Sequence, residues 1–222
     1  NIAVVIPAYK VKGHIMSVIA GIGAEVSIIY VVDDCCPDCS GDFVASQTTD
    51  LRVKIIKHLS NQGVGGAMIT GYRAAIQDGA SIIVKIDGDG QMDPSLIPLF
   101  TSPIIQGEAD YVKGNRFYDL SFLRDMPPLR IFGNSMLSFI NKISSGYWDI
   151  FDPTNGYTAI HIAIARKLPL DKISSGYFFE SDMLFRLNIL RAVTVDVPMN
   201  AIYETEVSNI SFSKIIGEFT YK

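Results

Sequence analysis

Two carboxylates stand two residues apart in the segment SIIVKIDGDGQMDP, at Asp87 and Asp89. Ser81 to Ile86 reads as a short buried strand rich in β-branched residues, and Gly88 and Gly90 break it at once. On extended backbone, residues two apart point the same way, so both acids can face one spot. Two hard oxygen donors beyond a buried strand suit Mg²⁺ or Mn²⁺, which keeps water and takes further ligands from substrate phosphates. A polar turn with solvated acids is the plainer alternative, and the pair alone does not decide between them.

Other groups could serve the same chemistry. Asp33 and Asp34 end an apolar run and could accept hydrogen bonds from a base or ribose; a capped turn would use them equally well. Arg116 and Arg130 could clamp phosphate with rigid guanidinium forks, though each alone is more often a surface charge. Asp152 and the group Glu180-Ser181-Asp182 add acids, of which Asp182 could simply stabilise a helix start. The glycine-rich stretch NQGVGGAMITG lacks the Gly-Lys-Ser/Thr of a P-loop, and Met68 stands where the third glycine of G-x-G-x-x-G belongs. A classical nucleotide hydrolase or dehydrogenase is therefore not expected. Helix-terminal amides there could assist a ligand, and close packing of helix on strand is an equal use for the glycines. No G-x-S-x-G elbow or Ser/His/Asp set appears.

The elements that must position these residues alternate in type. Strands are expected at Ile2–Ile6, stopped by Pro7, then at Val26–Val32, Val53–His58 and Ser81–Ile86. Helices are expected near 13–22 and 41–47 and from the glycine-rich stretch to Gly79, with another opening at Pro94 under an Asp93 cap. This βαβαβαβ order predicts a parallel, doubly wound sheet in a single domain. Pro7 to Tyr9, Asp33 with Asp34, Asn61 to Gly66, and Asp87 with Asp89 then share the carboxyl edge, where such sheets bind ligands. After residue 105 the pattern loosens. A strand at Asp110–Lys113 runs into Gly114-Asn115-Arg116, and a loop with Pro127 and Pro128 precedes a helix over 129–144. Phe132, Met136, Ile140 and Ile143 make an apolar stripe on that helix, read as core ahead of a membrane-facing surface. DPTNGYTAIH looks like a turn into a strand, followed by a helix at 181–191 and a strand at 193–197.

Composition narrows the class. With 222 residues and 48% hydrophobic content the chain can bury a large α/β core. A net charge of -4 argues against nucleic acid as a partner. No apolar run approaches the roughly 18 residues that span a bilayer. The chain opens directly on a strand, which reads as a piece of a longer protein. Cys35, Cys36 and Cys39 lie together in DDCCPDCSGD without a fourth ligand at zinc spacing, since His14, His58 and His161 form no paired pattern. Reduced thiols in a turn are expected, in a cytoplasmic compartment.

In order, IPAY, VVDD, NQGVGGA, DGDGQ, KGNR, DPTNGY and FFESD resemble the motifs of glycosyltransferase family 2, over nearly the whole chain from Ile2 to about Glu206. The likeness is nearest the dolichyl-phosphate mannose synthase and polyprenyl-phosphate glycosyltransferase branch. It implies a GT-A fold: a Rossmann-like, mostly parallel sheet flanked by helices, with a mixed acceptor-side region. Residues 1–105 would bind the nucleotide-sugar and 106–222 the acceptor, with membrane segments possible beyond Lys222. The resemblance implies that Pro7, Ala8, Tyr9 and Asp33 line the base and ribose pocket, with Asp34 beside them. Asn61 and Gly66, at the same edge, complete the expected nucleotide-side set. Asp87 and Asp89 match the DxD-type motif, with Asp89 and Gln91 as direct ligands of Mg²⁺ or Mn²⁺ and Gly88 allowing close approach of the sugar nucleotide. Arg116 and Arg130 would hold an acceptor phosphate or the departing diphosphate. Asp152 and Gly156 match an acceptor-side D-x-x-x-G pattern, and Asp182 the general base used when the acceptor is a hydroxyl.

Two positions depart from the family pattern. Lys10 and Val11 replace the usual Asn-Glu of the first motif, and Cys35-Cys36 replace Gly-Ser in the second. The expected activity is metal-dependent, inverting transfer from a UDP- or GDP-sugar to a polyprenyl-phosphate lipid, at the cytoplasmic face of a membrane. The alternatives are transfer to a polysaccharide hydroxyl, or a non-catalytic sugar-nucleotide-binding subunit. A loop at 203–211 that closes over the site is expected by analogy alone.

Overall fold

The computed structural model describes residues 1–118, 138–139, 142–176 and 178–199. Its strands are Ile2–Ala8 (β1), Val26–Asp33 (β2), Val53–Lys57 (β3), Ile82–Lys85 (β4), Tyr111–Asn115 (β5), Thr158–His161 (β6) and Thr194–Pro198 (β7). They form one sheet in the order β3-β2-β1-β4-β6-β5-β7. The first four are parallel, β6 runs against both β4 and β5, and β7 is parallel to β5. Every strand except β6 therefore points the same way. The carboxyl ends of β1, β2, β4 and β5 and the chain leading into β6 meet along one edge.

The helices are Ile15–Gly21 (α1), Ser40–Gln47 (α2), Gly63–Gln77 (α3), Ile97–Ile105 (α4), Ile162–Ala165 (α5) and Phe179–Ile189 (α6). Because β1 is covered on both faces, it reads as an unbroken apolar run. Ile2, Val4 and Ile6 join one core with Ile15, Val18, Ile97 and Phe100, while Ala3 and Val5 join another with Met68, Tyr72, Phe179 and Leu184. Each such fully buried aliphatic side chain contributes roughly 1.5–3 kcal/mol.

Three expectations are adjusted. β1 continues through Pro7 to Ala8, because the β1–β4 ladder has already ended at the Val5–Lys85 pair and the missing N–H withdraws no bond from it. Asp93 does cap its turn, accepting from Ser95 N at 2.9 Å, but Pro94 opens a single 3₁₀ turn before α4. The helix expected over 129–144 falls mostly outside the described residues, together with Pro127, Pro128 and Arg130. Ile143, the one member of its apolar stripe that is described, is exposed and not in the core.

Candidate active site

Lys85, the last residue of β4, organises the edge. Its ammonium is 1% exposed and donates to Asp87 Oδ1 at 2.7 Å and to Gly156 O at 3.1 Å, with Glu180 Oε1 at 3.2 Å. Burial alone would push its pKa down; Asp87 and Glu180 outweigh that and hold it above the ordinary lysine range. A Cβ on Gly156 would run into Lys85 Nζ and Asp87 Oδ2, so this close packing requires glycine. Asp87 stays 28% exposed. Two residues on, Asp89 Oδ1 accepts from Gln91 N at 3.0 Å, and both residues are partly exposed. Gly88 packs against Val11 and Ile6.

This oxygen donor set fits Mg²⁺ or Mn²⁺. Lys85 engages Asp87 through Oδ1, the Asp87 side chain stays partly exposed, and the partly exposed Asp89 and Gln91 follow it in the turn. Among the described residues no three His, Cys, Asp or Glu side chains converge to hold a metal. A cation here would complete its shell with water and donor phosphates, as Mg²⁺ commonly does.

The acids after β2 are used differently. Asp33, 4% exposed, accepts from Cys36 N at 2.8 Å and Gly41 N at 2.6 Å, capping the approach to α2. Asp34, 3% exposed, accepts from Gln62 N and Gly63 N at 2.8 Å each, and its Oδ1 lies 2.7 Å from His58 Nδ1. His58 Nε2 reaches Thr70 Oγ1 at 2.9 Å, tying the turn to α3. Asn61 Nδ2 donates to Asp34 O at 3.2 Å. Further into the first turn of α3, the amides of Gly65 and Gly66 both donate to Ser175 O. A Cβ on Gly65 would strike the Ser174 carbonyl, and it is Gly71, further along α3, whose Cβ would strike Val5 of β1 and which therefore packs helix against strand. Beside them Ala8 is buried and Tyr9 exposed, with Lys10 N donating to Cys36 Sγ at 3.1 Å. Burial would raise the Cys36 thiol pKa; hydrogen bonds from Ser40 and from the backbone of Lys10, Ser40 and Asp38 bring it below the usual value. All three cysteines are free.

On the other side of β4, Arg116 and Asp152 are brought together. The Arg116 guanidinium grips the fully buried Asp152 through both oxygens, Nε to Oδ2 at 2.6 Å and a terminal nitrogen to Oδ1 at 2.9 Å. Asn155 braces this loop, donating to Asp152 Oδ2 at 3.3 Å and accepting from Tyr157 N at 2.9 Å.

Asp182 faces elsewhere. Its carboxylate accepts from Ser174 N at 2.7 Å and pairs with Arg186 Nε at 3.0 Å, one turn along α6. Residues two apart on a helix point to nearly opposite sides, so Glu180 turns toward Lys85 while Asp182 turns away. Lys85, Lys113 and His58 join these contacts without being singled out in the sequence, and of the Glu180-Ser181-Asp182 group it is Glu180 that reaches Lys85. The available signal was a lysine in an inward strand position, in IIVK and again in YVK.

The model of Glycosyl transferase family 2 matches residues 3–168. The undecaprenyl-phosphate mannosyltransferase of Micrococcus luteus is 32% identical over 195 residues, covering 86% of this chain and 79% of that enzyme. A UDP-N-acetylglucosamine–dolichyl-phosphate N-acetylglucosaminyltransferase of Methanococcus voltae is 35% identical over 157 residues, 71% of this chain and 62% of that enzyme. Among solved structures, glucosyl-3-phosphoglycerate synthase from Mycobacterium tuberculosis, in complex with Mn²⁺, UDP and phosphoglyceric acid, superposes with a TM-score of 0.70. That match has 17% identity and covers 98% of this chain and 73% of that one, a likeness of fold.

Proposed function

This chain belongs to glycosyltransferase family 2, and from that premise we propose that it moves a sugar from a nucleotide-sugar to the phosphate of a polyprenyl-phosphate lipid, inverting the anomeric carbon. In this reading residues 1–105 bind the donor and 106–222 the acceptor. The acceptor oxygen forms a bond to the anomeric carbon as the bond to the nucleoside diphosphate breaks, and the electron pair leaves with the diphosphate. Asp87, Asp89 and Gln91 would hold Mg²⁺ or Mn²⁺, which when bound neutralises charge on the leaving diphosphate. Pro7 to Tyr9 and the turn after β2 would border the base and ribose. Arg116, anchored by Asp152, would hold the acceptor phosphate.

The observation that carries this reading is the state of the candidate bases. Asp182, the carboxylate offered as base, is paired with Arg186, and Asp152, the other acid on the acceptor side, is gripped by Arg116. A phosphate monoester, with its second pKa near ~6, is an anion at neutral pH and needs no base. The names of the relatives from Micrococcus luteus and Methanococcus voltae agree with it. Further support comes from Phe139, Trp148 and Phe151, exposed next to Asp152 with Lys142 Nζ 4.2 Å above the Phe151 ring, a composition suited to a membrane surface. Among the described residues no helix is long and apolar enough to cross a membrane.

One observation favours a second reading, transfer to a sugar hydroxyl: Glu180 lies beside the donor-side acids, through Lys85. The test is incubation of UDP- and GDP-sugars and Mn²⁺ with undecaprenyl phosphate or with oligosaccharide acceptors, followed by chromatography of the products. A lipid-linked sugar is expected; label appearing only in the oligosaccharide would replace this reading with the second.

A further inference from the structure

Lys85 and Lys113 are buried to the same extreme, 1% and 0% exposed. They stand in one row across the sheet. Lys85 pairs with Thr158 between β4 and β6, Thr158 with Lys113 between β6 and β5, and Lys113 with Asp196 between β5 and β7. Their ammonium groups donate to consecutive carbonyls of one loop, Lys113 to Asn155 O at 2.6 Å and Lys85 to Gly156 O at 3.1 Å. That loop carries Asp152, which holds Arg116, and Gly156, which packs against Asp87. We infer that Lys113, acting with Lys85, is a positioning residue that clamps the 152–157 loop and so sets the separation between Asp87 and the Arg116–Asp152 pair. The inference rests on the acceptor role proposed for Arg116.

A lysine retained for stability alone would be an expensive choice here. Taking an ammonium fully out of water and giving it one backbone carbonyl leaves most of its desolvation cost standing. Burial holds the pKa of Lys113 down at about 8, against Glu180 and Asp152 and with Lys85 adding to the depression; Asp196 opposes it from β7. A methionine would fill nearly the same space without that cost. What methionine cannot do is hold the Asn155 carbonyl at a fixed point beside the one that Lys85 holds. Two donors on adjacent carbonyls remove the freedom of the loop to slide along the edge, and a misplacement of about 1 Å at such a site costs on the order of a hundredfold in rate.

The experiment is Lys113→Met in the intact protein. Hydrogen exchange at the backbone amides of Arg116, Asn155 and Tyr157 is expected to speed up about tenfold or more. The melting temperature is expected to stay level or rise. In transfer to undecaprenyl phosphate, kcat is expected to fall at least about tenfold while KM for the sugar nucleotide stays within about twofold. Unchanged exchange, or faster exchange with a lower melting temperature, overturns the clamp whatever the acceptor is. A loosened loop in a protein whose wild type glycosylates only sugar hydroxyls supports the clamp and overturns the lipid-phosphate reading instead.

Discussion

The ends of β2 and β4 each bring two aspartates to the same edge of the sheet and give them different surroundings. Asp33 and Asp34 are buried under the backbone amides of Cys36, Gly41, Gln62 and Gly63, with His58 completing the second pair. Asp87 and Asp89 remain partly open, the first held by a side-chain ammonium and the second by the amide of Gln91. A carboxylate that satisfies amides holds a turn in shape and has little left for a ligand. A partly exposed one, such as Asp87 beside the Lys85 ammonium, keeps more of its oxygen within reach of solvent. Acid spacing alone therefore does not define a cation site; the competing donors decide.

Substitutions can break or sharpen that contrast. The largest effect is expected from Asp89→Asn, which should lower sugar transfer about a thousandfold while shifting unfolding by less than about 1 kcal/mol in a urea titration. Asp34→Asn should invert the pattern. An amide nitrogen would face the N–H groups of Gln62 or Gly63 and the His58 pair would be lost, removing roughly 2–4 kcal/mol of stability. If that variant instead unfolds like the wild type and loses only nucleotide affinity in calorimetry, Asp34 belongs with the ligand and the contrast fails.

Gly156→Ala pushes a methyl group into the Lys85–Asp87 pair and should cost about 1–3 kcal/mol. Weaker Mn²⁺ binding in the nucleotide complex should accompany it. Asp196 offers a pH test. Burial is the largest influence on its carboxyl and raises its pKa to about 6, while Oδ1 has no hydrogen-bond partner among the described residues. The folded state thus holds this proton more tightly than the unfolded chain, and stability should fall as pH rises from about 4 to about 6. Asp196→Asn should flatten that slope and add on the order of 1 kcal/mol at pH 7. The smallest effect is expected from Asp182→Asn: turnover on lipid phosphate within about threefold of wild type, since its partner is Arg186 on the same helix. A collapse of turnover would restore Asp182 as the base and count against the phosphate acceptor.

The first half of the fold was legible because its determinants are local. Apolar β-branched runs end in glycine, proline or aspartate, and the Asp93 cap and its proline follow from neighbours in sequence. The antiparallel insertion of β6 between β4 and β5 was not legible, since it joins segments far apart in the chain. The same limit hid the lysines. Lys85 at the end of an apolar strand reads as a charge reaching for water; the Gly156 carbonyl that accepts from it arrives 71 residues later. The choice between Glu180 and Asp182 depended on the rotation of α6 against the sheet, which the polar and apolar residues interleaved in FFESDMLFRL do not fix.

The place of β6 also has a consequence for how the chain is made. A nascent chain translated as far as Asn115 contains both strands that flank β6 but not β6 itself. At roughly 5–20 residues per second the ribosome leaves that gap open for a few seconds. During that interval β4 is an edge strand, and Lys85 at its end is a solvated charge of the kind that discourages pairing with other chains. Only after Thr158–His161 and then Glu180 emerge is the same ammonium enclosed and matched by carboxylates. The residue that ends at the centre of the site first serves as a guard on an unfinished sheet.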